Sequence, residues 1–107
     1  MKVYLKDKMG VCHPVEDVLI AVQSKVLRAC FKYSTPTSTI LPLPSIEGEI
    51  LDRIIAWVNR PQIETLDLDN AEGFFVCGLL VASDFLDMPV LSQQINGWME
   101  NKWSLVR

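Results

Sequence analysis

The sequence is poor in the residues that build metal sites, disulfide frameworks and phosphate-binding loops. It has one histidine and three cysteines, and Cys12, Cys30 and Cys77 share no Cys-x-x-Cys or Cys/His spacing. Its five glycines form no glycine-rich phosphate loop. We therefore expect no metal and no cofactor. The cysteines, taken as reduced thiols, predict a cytoplasmic or nuclear location.

Long runs of one residue class are also missing. The longest apolar stretch, FFVCGLLVA, is too short to cross a bilayer as a helix, and MKVYLKDKMG lacks the apolar segment of a signal peptide. The net charge is -3 and the basic residues form no cluster, which disfavours nucleic acid as a partner. Half of the 107 residues are hydrophobic, which is enough for a packed core. These features predict one soluble domain over residues 1–107 that binds neither membrane nor nucleic acid.

No pair of side chains has the spacing of a catalytic site. Cys12 and His13 are adjacent on a predicted strand, so their side chains point to opposite faces and cannot share a proton. His13 therefore has no obvious partner. Glu47, Glu49 and Asp52 lie close together, but at the start of a helix such carboxylates more often complement the helix dipole than form an acid–base pair. We predict that the protein is not an enzyme.

The N-terminal part of the chain predicts a hairpin and two short helices. KVYLK alternates, DKMG predicts a turn around Gly10, and VCHPV predicts a returning strand that Pro14 restricts to a sheet edge. Asp17 and Ser24 are candidate N-caps of two short helices, although VLIAV is also compatible with a buried strand. YSTPTST has the composition of a loop, and ILPLP predicts a third strand at an edge.

The segment PLPSIEGEILDRIIAWVNRP predicts an amphipathic helix with Ser45 as its N-cap. Ile50, Ile54 and Val58 share one face of this helix, and Trp57 is expected in the core or at its rim. The following NRPQIETLDLDN is a polar connector whose alternating centre is compatible with one more short strand.

Two further helices are predicted in the C-terminal part. AEGFFVCGLLVASDFLD is apolar nearly all round, so this helix is expected in the middle of the domain. Asp87 and Pro89 end it and start a last helix, PVLSQQINGWMENKW. The whole pattern predicts an α/β (α+β) fold with a hairpin, a third edge strand and about five helices.

Three segments resemble one known family. PLPSIEGEILDRIIAWVN is similar to the PLP-x-(V/I)-x-x-x-IL-x-x-(V/I)-I-x-W motif of the adaptors that carry F-box proteins in cullin ubiquitin ligases. GLLVASDFLDMPVL resembles that family's LILAANYLDIKGLL segment, and IAVQSKVLRACF its IAKQSVTIKTML segment, in the same order and spacing. Elongin C and the BTB/POZ domains share the fold of this family. The resemblance therefore implies a BTB/POZ-like fold, in which helices surround a small, mainly three-stranded sheet.

The resemblance also implies two contact surfaces. The family's Asn-Tyr pair in AANYLD helps to hold the cullin, and the matching positions here are Asp84 and Phe85, a carboxylate and a ring without its hydroxyl. The F-box adaptors continue past KTPEEIR into helices that grip the F-box, whereas this chain ends with NKWSLVR. This difference favours an Elongin C-like mode, in which a partner's amphipathic helix docks on the C-terminal helices. The residues expected to bind that helix are Leu91, Ile95, Trp98, Met99 and Trp103. The alternative is that these side chains fold back onto the core.

Two functions are compatible with this resemblance. The first is an adaptor that binds a helical motif of a receptor protein and links it to a cullin-type ubiquitin ligase. The alternative is a BTB-type dimerisation or scaffold module in a gene-regulatory or chromatin complex without ubiquitin. Asp84 and the missing C-terminal helices favour this alternative, because both weaken contacts to a ligase. In either case the partners are proteins, and the second function is compatible with a homodimer or with a heteromeric assembly.

Overall fold

The computed structural model describes residues 2–33 and 40–103, apart from the side chains of Tyr33 and Trp103. Its sheet is formed by the N-terminal part of the chain. Strand β1 (Lys2–Lys6) pairs antiparallel with β2 (Cys12–Glu16) and parallel with β3 (Ile40–Pro42), in the order β2-β1-β3. Gly10, in the turn between β1 and β2, has a φ of 85°, which residues with side chains rarely adopt. The predicted hairpin, its turn and both edge strands are therefore confirmed.

Six helices accompany the sheet within residues 2–33 and 40–103, one more than predicted. They are α1 Asp17–Gln23, α2 Lys25–Tyr33, α3 Gly48–Asn59, α4 Ile63–Leu66, α5 Gly73–Phe85 and α6 Pro89–Trp103. Helix α3 contacts α1, α4, α5 and β2, so it joins the sheet to the C-terminal helices. The mixed α and β architecture is confirmed, as is the helix break before Pro89. Of the predicted loop YSTPTST, Tyr33 ends α2 and residues 34–39 lie outside the described residues.

The N-caps of the first two helices are partly as predicted. Ser24 separates α1 from α2, and its hydroxyl accepts a hydrogen bond from the Leu27 N–H at 3.1 Å. The same hydroxyl donates to the Leu86 carbonyl at 2.6 Å, which ties this helix start to the end of α5. Asp17, in contrast, is the first residue of α1 rather than its cap, and Glu16 precedes the helix without a capping side-chain bond.

The prediction that Ser45 caps the next helix is wrong, because α3 begins at Gly48. The reason is a tertiary contact with the hairpin turn. The Lys8 N–H donates to the Ile46 carbonyl at 2.8 Å, and the Ile46 N–H donates to the Leu43 carbonyl at 3.1 Å. These bonds hold residues 43–46 as a turn against the hairpin, so the helix can start only beyond them.

The extra strand considered for NRPQIETLDLDN is also wrong. Ile63–Leu66 forms α4 and Leu68–Asn70 forms a 3-10 turn, with Asp67 between them at a φ of 51°. Aspartate tolerates this left-handed conformation better than most residues with side chains. The reversal at Asp67 leaves Leu66 and Leu68 on either side of it both buried in the core.

One hydrophobic core connects the sheet with the helices. Leu5 from β1, Ile20 from α1, and Ile54 and Trp57 from α3 are all fully buried in it. The Trp57 indole N–H donates to Gln94 Oε1 at 2.9 Å and so links α3 to α6. The expected place of Trp57 in the core is confirmed.

Helix α5 is buried on one side only, so the prediction that it lies in the middle of the domain is wrong. Val76 and Leu79 are fully buried, whereas Phe74, Val81 and Phe85 are 75%, 68% and 56% exposed. A small domain buries a limited share of its surface, and a helix that is apolar all round can then keep an apolar face in water.

We expect Leu79→Ala to lower the free energy of unfolding by about 2–5 kcal/mol, because it removes fully buried methyl groups and leaves a cavity. Val81→Ala, on the exposed side of the same helix, is the matched control and should change the free energy by less than about 0.5 kcal/mol. Urea unfolding measures both variants. Equal losses in the two would contradict this packing of α5.

Candidate protein-binding groove

A groove of about 390 Å³ runs between the start of α3 and the exposed face of α5. Its apolar wall comes from α5, and its other wall comes from the turn before α3 and from the first turns of that helix. The lining residues are Ser45, Ile46, Glu47, Glu49, Ile50, Phe74, Phe75, Gly78, Val81, Ala82 and Phe85.

The shape of the groove depends on Gly78. Phe74, Gly78, Val81 and Phe85 follow one another at helical spacing and therefore share a face of α5. A Cβ atom added at Gly78 would lie 3.0 Å from Ile50 Cδ1 on α3. The missing side chain thus lets α3 and α5 approach closely, while the large side chains on either side of Gly78 stand out into solvent.

Acidic side chains lie on the α3 side of this apolar surface and in the depression beside it. Glu47 and Glu49 line the groove on the α3 side. A smaller depression of about 250 Å³ shares Glu49, Phe74 and Phe75 with the groove and adds Asp67 and Glu72. Arg53 also lines it, but its guanidinium lies 5.2 Å from the centre of the Phe75 ring and it donates to the Leu66 carbonyl. The groove therefore combines apolar walls with a negative rim.

The two residues expected to face a cullin lie at the surface. Phe85 lines the groove, and Asp84 is exposed beside Val81, facing a separate depression that Ser92 and Asn96 also line. The Asp84 carboxylate is solvated in the isolated domain, so it costs no desolvation free energy until a partner covers it. Their role in binding a cullin stays a prediction.

The residues expected to bind a helical motif differ in how deeply they are buried. Leu91 and Ile95 are fully buried, so the domain's own core already covers them. Trp98 and Met99 are half-buried against that core, and Trp103 ends α6 with its side chain outside the described residues. For Leu91 and Ile95 the structure follows the alternative in which they fold back.

Trp98 is also fixed by a polar contact. Its indole N–H donates to Asp69 Oδ1 at 3.0 Å, and Lys102 Nζ lies 3.3 Å from the same oxygen. The hydrogen bond from Trp98 and the contact with Lys102 lower the pKa of the Asp69 carboxyl. These bonds tie α6 to the 3-10 turn and fix the position of the Trp98 ring.

His13 has partners that the sequence did not reveal. Cys12 is exposed and His13 is buried, so the expected opposite orientation is confirmed, but the prediction that His13 has no obvious partner is wrong. Its Nε2 lies 2.7 Å from Asp7 Oδ2, and its Nδ1 lies 2.6 Å from Asp52 Oδ1. The hairpin brings Asp7 and His13 together, and Asp52, which is distant in sequence, joins them only when α3 packs against the hairpin. Among the described residues no group of His, Cys, Asp and Glu side chains could hold a metal ion.

A second exposed apolar patch lies on α1. Val18, Leu19 and Val22 are 65%, 44% and 68% exposed. Exposed apolar residues are common singly, but three within one helical turn form a contiguous patch of the kind found at interfaces. We call this set the α1 patch.

We did not predict the exposure of Phe74, Val81 and the α1 patch from the sequence, because periodicity alone does not say which apolar residues a small domain can bury. A usable signal was present in α5, since Phe74, Val81 and Phe85 repeat at helical spacing around a glycine. The acidic rim had a weaker signal. Glu47 and Glu49 were assigned only to the helix dipole, although both also line the groove.

Comparison with known proteins identifies the fold. No protein-family model matches the chain, and no curated protein matches it. Among solved structures, the BTB domain of human gigaxonin has a TM-score of 0.73 and is 19% identical, over 90% of this chain and 75% of that chain. The BTB domain of zebrafish PATZ1 has a TM-score of 0.74 and is 15% identical, over 94% of this chain and 75% of that chain.

This chain has the BTB fold. The predicted BTB/POZ-like architecture is thereby confirmed. The two neighbours are BTB domains rather than F-box adaptors, so the narrower resemblance to F-box adaptors and Elongin C stays a prediction. No helix in the described parts of the chain has both the length and the apolar character needed to cross a membrane.

Replacing Gly78 tests the close approach of α3 and α5. Gly97→Ala is the matched reference, because Gly97 lies in α6 with no atom within 4 Å of the added Cβ, and it should raise the free energy of unfolding by about 0.5–1 kcal/mol. Gly78→Ala should raise the free energy of unfolding by less than Gly97→Ala does, or should lower it, because the terminal methyl of Ile50 must move away from a Cβ at 3.0 Å. Urea unfolding compares them. An equal rise in the free energy of unfolding for both variants would contradict the close packing of Gly78 against Ile50.

Proposed function

We propose that this BTB-fold domain is a protein-interaction adaptor that binds an amphipathic helix of a partner protein in the groove between α3 and α5. The observation that carries the proposal is the exposure of Phe74, Val81 and Phe85 on one face of α5. Large aromatic and aliphatic side chains held on a rigid helix supply much of the binding free energy at protein interfaces. The fold itself does not determine a function, whereas this exposed face points to binding of another protein.

The charges around the groove define the partner's chemistry. A helix that docks in an apolar groove places side chains at positions i, i+3, i+4 and i+7 into it. With Glu47, Glu49 and Glu72 around the groove and the smaller depression, the residues that flank these anchors should be lysine or arginine. The expected partner is therefore an apolar helical face with basic edges.

The resemblance to the F-box adaptors names a candidate partner. It assigns Phe85 to the surface that holds a cullin, and Phe85 is one of the three exposed anchors of the groove. We therefore propose that the partner in the groove is the N-terminal domain of a cullin. In this proposal Trp98, Met99 and Trp103 remain the residues of α6 that contact a receptor, which the domain would link to the ligase.

We expect a cullin N-terminal domain to bind the wild-type chain saturably, and Val81→Asp/Phe85→Asp to weaken the complex. Each anchor at the centre of an interface is worth about 2 kcal/mol or more, so the dissociation constant should rise by at least about thirtyfold per residue. Isothermal titration calorimetry against a set of cullin N-terminal domains measures this.

The control for this titration is Val18→Asp/Val22→Asp, which places the same charges on the α1 patch and should leave the affinity unchanged. Circular dichroism checks that both variants remain folded, as expected for substitutions at exposed positions. If none of the cullins binds the wild-type chain at high concentration, the ligase form of the proposal is wrong. If both variants lose binding equally, the assigned groove is wrong.

A second candidate function is dimerisation, and the observation that favours it is the α1 patch. Val18, Leu19 and Val22 form an apolar surface on α1, whereas the apolar wall of the groove lies on α5. A dimer made through α1 would therefore leave the α5 wall available to another partner. A two-fold interface needs one self-complementary patch, which a short apolar helix can supply. The domain would then act as a scaffold that pairs two chains.

Sedimentation velocity from micromolar to millimolar protein tests this function. A concentration-dependent shift from monomer to dimer is expected for the wild-type chain and for Val81→Asp/Phe85→Asp. Val18→Asp/Val22→Asp should stay monomeric, because two like charges would be buried against their copies in a two-fold interface. A wild-type chain that is monomeric throughout would exclude dimerisation through α1.

A further inference from the structure

The buried histidine stands where three parts of the chain meet. Its ring lies between the carboxylate of Asp7, just after β1, and that of Asp52, in α3. Asp7 is itself held in place, because its Oδ1 accepts the backbone N–H groups of Met9 at 2.8 Å and Val11 at 3.0 Å. His13 thus connects a carboxylate held in the hairpin turn with a solvent-exposed one on α3.

The first turn of α3 is packed directly against this cluster. A Cβ atom added at Gly48 would lie 2.6 Å from Asp7 Oδ2 and 3.6 Å from His13 Nε2. Glycine is therefore required at this position for α3 to approach the hairpin. The neighbouring Lys8 N–H bond to the Ile46 carbonyl holds the preceding turn on the same side.

The protonation state of the His13 ring decides whether its position between the two carboxylates is favourable. A neutral imidazole has one N–H and one lone pair, so it can donate to only one of two carboxylates. An imidazolium donates from both nitrogens, and both ring nitrogens here lie within hydrogen-bond distance of a carboxylate oxygen. Loss of the proton would leave a lone pair facing an anionic oxygen at about the same distance.

We infer that Asp7, His13 and Asp52 form a proton-dependent latch that holds the first turn of α3 against the β1–β2 hairpin. With His13 protonated the latch is closed by two charge-assisted hydrogen bonds. With His13 neutral one of them is lost, and the exposed Asp52 side chain is free to turn towards solvent. Glu49 in this first turn, and Ile46 and Glu47 just before it, line the groove, so the latch also sets the position of a groove wall.

The charges that face His13 are consistent with this device. Helix α1 and strand β1 also pack on β2, and Leu5 lies opposite His13 on β1. Within the described residues, Asp7 and Asp52 are the charged groups that shift the pKa of His13. Burial alone would lower that pKa, but the hydrogen bonds to Asp7 and Asp52 outweigh burial and raise it above its ordinary value. The hydrogen bond from His13, supported by those from Val11 and Met9, lowers the pKa of the Asp7 carboxyl.

These directions give the sign of the pH dependence. Because the folded pKa of His13 is above the unfolded value of 6.5, the latch stabilises the fold fully below pH 6.5 and less as the pH rises through the folded pKa. The lowered pKa of Asp7 adds a separate loss of stability, which begins only below its ordinary value of 3.8. Between pH 3.8 and pH 6.5 the latch is closed.

The test combines a titration of the single histidine with unfolding measurements. Proton–carbon NMR of the His13 ring should give a pKa above 6.5 for the wild-type chain and a lower value for Asp52→Asn. Urea unfolding gives the unfolding equilibrium constant at each pH between 6 and 9. As the pH rises over this range, the constant for a given variant should rise by about tenfold for each unit by which its folded His13 pKa exceeds the unfolded value of 6.5. Glu49→Gln removes another exposed carboxylate from the same helix and should change neither result. A wild-type pKa at or below 6.5, or equal shifts in Asp52→Asn and Glu49→Gln, would overturn the latch.

Amide hydrogen exchange gives a local measurement that a general loss of stability would not reproduce. The Leu51 N–H, which donates to the Glu47 carbonyl, and the Lys8 N–H should lose protection as His13 deprotonates, after correction for intrinsic exchange. The Val76 N–H, at the equivalent place in α5, should not. Uniform loss at all three sites would overturn the assignment to the first turn of α3. The effect on the groove rests on the function proposed above, but these measurements use no partner, so the two proposals can fail separately.

Discussion

The amount of apolar surface that a chain of this size can enclose governs the rest of the structure. Half of the 107 residues are hydrophobic, and the interior is filled by β1, by α3 and by the inner faces of α5 and α6. Among the described residues, six of the eleven large apolar side chains left exposed lie on α1 and α5, where they form contiguous faces, and the other five are scattered over the sheet, the hairpin turn and α6. Contiguous faces of this kind mark interfaces, so the limit on burial is also the origin of the two candidate binding surfaces.

Polar contacts decide how the buried parts are oriented. Ser24 binds the end of α5, Trp57 binds Gln94, and Trp98 binds Asp69, so each of these bonds joins segments that are distant in sequence. Among the described side chains, every buried polar nitrogen and oxygen has a hydrogen-bond partner. Directional bonds of this kind fix the orientation of helices that the hydrophobic effect only brings together.

The groove and the α1 patch are candidate surfaces for assembly on different helices. In the functions proposed above, an adaptor would use the groove to hold a basic, amphipathic helix, and a scaffold would use the α1 patch to pair with its copy. In the adaptor proposal, the acidic rim of the groove would repel an acidic partner. The His13 cluster lies behind the α3 wall of the groove and connects that wall to the sheet.

From the sequence alone, the hairpin, the proline-containing edge strands, the split at Ser24 and the break before Pro89 could be predicted. Each depends on local backbone preferences or on periodicity within a few residues. The start of α3, the turn at Asp67, the partners of His13 and the exposed face of α5 could not. The start of α3 and the contact of His13 with Asp52 depend on segments far apart in the chain, because Lys8 bonds to Ile46 and the hairpin packs against α3. For the candidate site, Phe85 was assigned by resemblance, but its joining with Phe74 and Val81 into one groove was decided by which face of α5 the small core had room to bury.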